Sequence, residues 1–421
     1  MKTDGGPPAS VTIRMPGFVL PLIPRAGQSA PGSPGSAPDA IPLEPSVGPD
    51  LMRLHEARAF LAMEQIAEGG DVNRVAFFHA DPTQDSIAQF ATHFTAETFR
   101  HYRTWPINAY LAPEATVLGH SSVVLVAGQV VPETLSHVMT WREGSEIESA
   151  SREGQVRLRH AMEVTRRVRA SEAVVGFTAS WTNYAHWMQE CMPKVMAYRV
   201  LAQTRPWLKL VLPRLAPGSF QAASVALLGI DQASIVSLEV GQAVSFTRCW
   251  LISGTDIWQI HPFLRRISER LVAQVSRPAA TERRIYVRRD GPLRRVANFA
   301  ALQPLLDCAR FSVVAFDGMS LEEQISVMQG ADMVIAEHGA GLANIQFCRP
   351  GTAVLELFNE SCVQPAFWSL ASCFDLRFGF MIGRSERTAE RPEPDWNSSY
   401  TVDPAALQTA LTSMGAGVGP V

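Results

Sequence analysis

The chain has 421 residues, more than one core usually holds and enough for two domains of ordinary size. Hydrophobic residues make up 47% and charged residues 18%, a globular composition that excludes a wholly disordered chain. Against 40 Asp and Glu stand 37 Lys and Arg, a net charge of -3, and so no basic excess calls for nucleic acid as a partner.

Residues 1–48, with "AGQSAPGSPGSAPDA" among them, are rich in Pro, Gly, Ser and Ala and predict a flexible leader. The apolar patch "FVLPLIP" at 18–24 is too short and too proline-broken to span a bilayer, and it lacks the flanks of a signal peptide. "LMRLHEARAFLAMEQIAE" (51–68) has helical periodicity, and "ATVLGHSSVVLVAGQVV" (115–131) reads as β-rich. "EAVVGFTASWTNYAHWMQECMPKVMAYRVL" (172–201) predicts a strand, a short loop and an amphipathic helix. Further strands are expected at 209–213, 233–239 and 249–253.

The last third alternates more cleanly. Strands are predicted at 283–289, 311–316, 332–338 and 352–358, with helices at 298–309 and 320–331 between them. Ser320 and Glu323 have capping-box spacing, and Gly330 fits a helix C-cap. Such alternation means a parallel sheet covered on both faces, with ligands outside the carboxyl ends of the strands. Arg288, Arg289, His338, Gly339, Gly341 and Glu356 are all expected at such ends.

Two constellations carry chemistry. In "IAEHGAGLANIQFCRPGTAVLELF" (335–358), a Gly-x-Gly turn entering a helix presents backbone amides to an anion. The arginine pair supplies guanidinium forks for a diphosphate, and Glu356 at a strand tip can accept from ribose hydroxyls. Each feature alone has a plainer reading: a tight turn, solvated arginines, a turn histidine, or a glutamate pairing an arginine. In "WTNYAHWMQECMP" (181–193), Asn183 and His186 straddle a strand-to-helix junction, and Glu190 lies one turn beyond His186. A carboxylate there can hold the imidazole as a general base. Trp181, Tyr184 and Trp187 are either sugar platforms or, the favoured reading, core, and Asn183 can equally be a helix cap.

The six cysteines are dispersed without a CxxC pair, which points to reduced, mostly buried thiols and away from zinc or a disulfide framework. HExxH, the Walker lysine loop and DxD are absent from the sequence, so no metal is expected. A dinucleotide fingerprint fails at its third glycine, where Asn344 stands, which ranks an NAD oxidoreductase low.

With these stretches in view, the chain resembles glycosyltransferase family 61 over about residues 172–380. The Asn183-to-Trp187 box with Pro193, "RRIYVRRDGPLRRVANFAAL", the 319–357 signature segment and "FWSLASCFDLRFGFM" occur in register. Val287 and Phe299 depart from the usual small and acidic residues. The resemblance implies an α/β protein of GT-B type: two Rossmann-like domains facing a cleft, an acceptor-side one over 51–275 and a nucleotide-sugar-binding one over 276–421. It implies an inverting hexosyl- or pentosyltransferase that moves a sugar from a nucleotide diphosphate, a UDP-sugar first among candidates, to a glycan or lipid-linked acceptor in surface polysaccharide biosynthesis. No further cofactor is implied. Donor binding would fall to Arg288, Arg289, Arg295, Asn298, His338, Gly339, Ala340, Gly341, Asn344 and Glu356. The catalytic set would be His186, with Glu190 second, and Asn183. A cytoplasmic protein is expected, with peripheral association at the inner membrane face left open. A non-catalytic nucleotide-sugar or glycan-binding scaffold of the same fold is the alternative.

Overall fold

The computed structural model describes residues 60–79, 101–119, 122–126, 129–131, 134, 172–239, 242–387, 393 and 395–416, with short strands at 11–12, 147–150, 156–158 and 163–168. Of the expected leader only Val11–Thr12 is described, as a strand antiparallel to Val156–Leu158; the rest lies outside the described residues.

Two sheets organise the chain. In the first, the strands run Ile235–Leu238, Lys209–Pro213, Ala173–Val175, Gln242–Ile252, Ile107–Leu118, Val124–Val126 and Gln129–Val130. The first four are mutually parallel and stand in the order 3-2-1-4 by chain position. Gln242–Ile252 then turns antiparallel to Ile107–Leu118. The Val-, Leu- and Ile-rich runs at 173–175 and 209–213 are buried on both faces, as central parallel strands require.

The second sheet runs Ser312–Val314, Arg284–Val287, Met333–Glu337, Ala353–Asn359, Arg377–Ser385 and Tyr400–Thr401. Its first five strands are parallel, in the order 2-1-3-4-5, and the last is antiparallel. Helices Phe299–Cys308 and Pro404–Met414 cover one face through Leu302, Leu306, Leu407 and Leu411, against Tyr286, Ile335, Leu355 and Leu357. The other face, with Val334, Val354 and Phe378, belongs to a core that continues without a break into Val174, Leu210 and Trp250 of the first sheet. Met192, Ile267, Leu342 and Phe367 fill the space between them.

Three sequence expectations are adjusted. The helix expected at 51–68 is, over Ala62–Ala67, a strand antiparallel to Ile107–Leu118. Residues 63 and 65 are exposed and alternate with the half-buried 62, 64 and 66, until a bulge between Gln65 and Ala67 breaks the alternation, and sheet context overrides the helix formers Ala, Met, Glu and Gln. Helix Leu321–Gly330 does begin with the Ser320–Glu323 capping box, but Gly330 is its last helical residue, not a left-handed cap. It is glycine because a Cβ there would stand 2.1 Å from the Ala280 carbonyl oxygen. The strand expected at 249–253 is the end of a longer one, Gln242–Ile252.

Candidate active site

Each sheet has a point where strand order reverses, the place where open parallel sheets bind ligands. In the second sheet it lies between Arg284–Val287 and Met333–Glu337, which run directly into Arg288 and Arg289 and into His338 and Gly339. In the first sheet it lies between Ala173–Val175 and Gln242–Ile252, and the former leads through 176–182 to Asn183 and His186. Both sequence constellations therefore stand at switch points.

The turn carrying His186 is built locally. The Asn183 side-chain oxygen accepts from the Ala185 N–H at 2.9 Å and the His186 N–H at 3.4 Å, closing the helix start. Residues Trp187–Cys191 then form a π-turn closed by the Met192 N–H on the Trp187 carbonyl. Pro193 supplies a cause: it has no N–H to return to Gln189, and its ring crowds that carbonyl. Across this turn His186 Nδ1 and Glu190 Oε2 stand 2.6 Å apart, with His186 9% and Glu190 2% exposed. Trp187 is core, and its indole N–H donates to Ser224 Oγ at 2.8 Å. The cap and the dyad thus coexist: Asn183 spends its oxygen on the turn that places His186.

The second sheet's loop is more crowded than the sequence suggests. Gly339 is followed by a 3-10 helix, Ala340–Phe347, in place of the expected α-helix. The Arg289 guanidinium crosses Gly339 and donates from Nη1 to the His338 carbonyl at 3.2 Å. A Cβ on Gly339 would meet that Nη1 at 1.7 Å, so the glycine exists for the arginine. Arg294, in the left-handed region at φ 55°, is a second guanidinium in the same neighbourhood. Burial, with Arg294 beside it, lowers the Arg289 pKa from its ordinary value. Burial together with Arg294 and Arg289 pulls the His338 imidazole down to about 3, so it is neutral.

The expectation that Glu356 stands at a strand tip and faces a ribose is corrected. It lies inside Ala353–Asn359, is 0% exposed, and approaches His338 Nδ1 at 2.6 Å through Oε1. It shares its face with Val354 and Phe358, within the core that continues into the first sheet. Burial holds its carboxyl well above the usual carboxylate range. On the opposite face the Tyr286 hydroxyl donates to Glu337 Oε1 at 3.0 Å, and burial raises the Glu337 carboxyl as well.

Other expected donor residues are reassigned by their contacts. Asn298 donates to the Val402 carbonyl at 2.8 Å and accepts its N–H at 2.9 Å, a clamp on the last strand. Asn344 is fully buried, donating to Gln324 Oε1 at 2.8 Å and accepting from the Tyr184 hydroxyl. That last bond spans 160 positions of sequence and ties the His186 turn to the Gly339–Gly341 loop. Arg288 is exposed, its guanidinium 4.5 Å over the ring of Phe299, the residue that departs from the family pattern. Arg295 is exposed too, while its carbonyl accepts from the Tyr400 N–H at 3.0 Å.

The sequence reading missed Arg294 and Trp396. Nothing in "RR" at 294–295 says which arginine turns inward. For Trp396 the available signal was Asp-Trp-Asn-Ser, a side-chain-closed turn placing an aromatic at its tip. Among the described residues no group of three His, Cys, Asp or Glu has metal-site geometry, and no helix is long and apolar enough to cross a membrane.

Fold and site together define an α/β protein whose polar and charged groups gather at the carboxyl ends of parallel strands. Residues 184–355 match the family model for glycosyltransferase 61, and this segment is similar to that family. The match is shorter than the 172–380 expected; it starts one residue after Asn183 and stops one before Glu356. No curated protein matches the chain. The match supports a glycosyltransferase activity, with a sugar donor and an acceptor in general.

Proposed function

We propose that the protein is an inverting transferase that takes a hexosyl or pentosyl group from a nucleotide diphosphate, a UDP-sugar first, to a glycan or lipid-linked acceptor of surface polysaccharide. One observation carries the reading: the Tyr184–Asn344 hydrogen bond holds a His–Glu dyad against an arginine-lined loop. A base and an anion site in register are what single displacement needs.

In that displacement His186 takes the proton of an acceptor hydroxyl while the oxygen attacks the anomeric carbon. The bond from that carbon to the phosphate oxygen breaks, and the diphosphate leaves with the electron pair. Glu190 pairs the imidazolium that forms. Arg289, Arg294 and the amides of Gly339–Gly341 meet the developing phosphate charge, a task for fixed donors. The neutral His338 imidazole stands in the same loop. In the GT-B manner the two sheets would each bring one side of the cleft. Free thiols throughout the described cysteines are in keeping with a reducing cytoplasm, where a lipid-linked acceptor would be met at the inner membrane face.

The test is a thermal-shift screen with UDP, GDP, CMP, their sugars and NAD, followed by sugar-transfer assays. A ligand at a hundred times its Kd adds about 2.7 kcal/mol of stability. Stabilisation by one nucleoside diphosphate, lost in Arg289→Ala, is expected, as is His186→Ala that binds donor but does not transfer. Stabilisation without transfer by the unaltered protein would favour the scaffold; a shift with NAD alone would refute both readings.

A further inference from the structure

Trp396 is a large apolar side chain left 40% exposed beside the most charged part of the site. Its exposure does not come from a loose backbone. Asn359, the last residue of its strand and 2% exposed, donates from Nδ2 towards the carbonyls of Asp395 at 3.4 Å, Trp396 at 3.3 Å and Ser398 at 2.9 Å. Asp395 closes the turn, its Oδ1 accepting the Asn397 N–H at 2.8 Å and the Ser398 hydroxyl at 3.2 Å. The indole is thus displayed on a braced turn. Its ring centroid lies 6.3 Å from that of His338, at 82°, and 5.5 Å from the Arg294 guanidinium carbon.

Arg294 adds two further costs at the same spot. It is a non-glycine residue at φ 55°, and its Nε is buried without a hydrogen-bond partner. Its N–H donates to the Asn397 carbonyl at 3.2 Å, joining the arginine loop to the tryptophan turn. Strain, an orphaned donor and an exposed indole together mark a place shaped for something bound.

We propose that Trp396 is the stacking platform for the nucleobase of the donor, with Arg294 meeting the adjoining phosphate. The inference rests on the nucleotide-donor reading above and gives it a base-binding residue. A sugar platform would be bordered by oxygens able to accept from hydroxyls. Here the borders are a guanidinium and an imidazole, while Asn359 Oδ1 is engaged by the Ser361 N–H at 2.6 Å and Asp395 Oδ1 by its own turn. A guanidinium over the flat ring brings a phosphate partner and a base platform to one place. Stacking is indifferent to base identity, so base choice would fall to groups at its edge.

Calorimetric titration of UDP, GDP and inorganic pyrophosphate into the unaltered protein, Trp396→Ala and Trp396→Phe decides the matter. Trp396→Ala should weaken the preferred nucleoside diphosphate roughly tenfold to a hundredfold, the range for one base on one aromatic ring, and leave pyrophosphate unchanged. Trp396→Phe should recover most of the loss. Unchanged nucleotide affinity in Trp396→Ala, or equal loss of pyrophosphate because the indole only props Arg294, would overturn the platform. So would a raised acceptor KM with donor affinity intact. An unaltered protein that prefers no nucleoside diphosphate to pyrophosphate refutes the platform alone, and one that binds neither refutes the donor reading with it.

Discussion

Gly339 shows how much one missing methyl group decides. The Arg289 guanidinium occupies the space a Cβ would take, and an arginine end can move where backbone cannot. Gly339→Ala should therefore keep the fold and lose nucleotide affinity by about tenfold or more, since one charge-assisted contact is worth about 1.5–3 kcal/mol. Titration of the folded variant reads this out; unchanged affinity would remove Arg289 from the site. His261 makes a separate prediction about pH. Its Nδ1 accepts the Phe263 N–H at 2.9 Å, and burial, with Arg266 adding, lowers the imidazole to about 4. The unfolded chain takes up this proton near pH 6.5 and the folded chain only near 4, so stability falls as pH drops through that window. The slope is at most about 1.4 kcal/mol per pH unit for one group. His261→Asn, which keeps an acceptor for Phe263, should flatten the Tm-against-pH curve between pH 6.5 and 4.

At the scale of elements, the π-turn at Trp187–Cys191 and the close approach at Gly330 illustrate opposite kinds of legibility. Pro193 and the His-Glu spacing are visible in the sequence, and the dyad they suggest is present. The reason for Gly330 is not visible, because Ala280 lies 50 positions earlier and only the fold brings its carbonyl to the helix end. Gly330→Ala should cost about 1–3 kcal/mol, the price of forcing an atom into packed backbone. A helix-propensity gain of about 1 kcal/mol, expected if the position were merely helical, has the opposite sign. Chemical denaturation separates the two.

Over the whole molecule, one core passes between the sheets, and the Tyr184–Asn344 bond sits on its polar edge. Tyr184→Phe leaves the Asn344 oxygen buried and without this donor, at about 1–3 kcal/mol. If the bond sets the distance between base and donor loop, kcat should fall about tenfold or more while donor affinity and the pH profile stay put. A fall in stability with kcat intact would make the bond a structural brace only. Residues 72–79 add to the union of the halves: the Arg74 guanidinium reaches Ser369 Oγ at 2.6 Å, and the Phe78 N–H donates to the Phe378 carbonyl at 2.9 Å. Thermal unfolding should accordingly show a single transition.

The sequence by itself determined the local things: parallel strands from apolar runs, the capping box at Ser320, the His186–Glu190 spacing, and the placement of both motifs at strand ends. These follow from periods of two and 3.6 residues and from hydrogen bonds a few residues long, which a linear text preserves. Tertiary structure alone decided that Glu356 is buried under His338, that Asn298 and Asn344 serve backbone and relay, and that Arg294 and Trp396 meet. Each of those facts joins residues 18 to 160 positions apart or depends on which face of a strand is covered. Burial sets their charge states, and burial is a property of the packed whole.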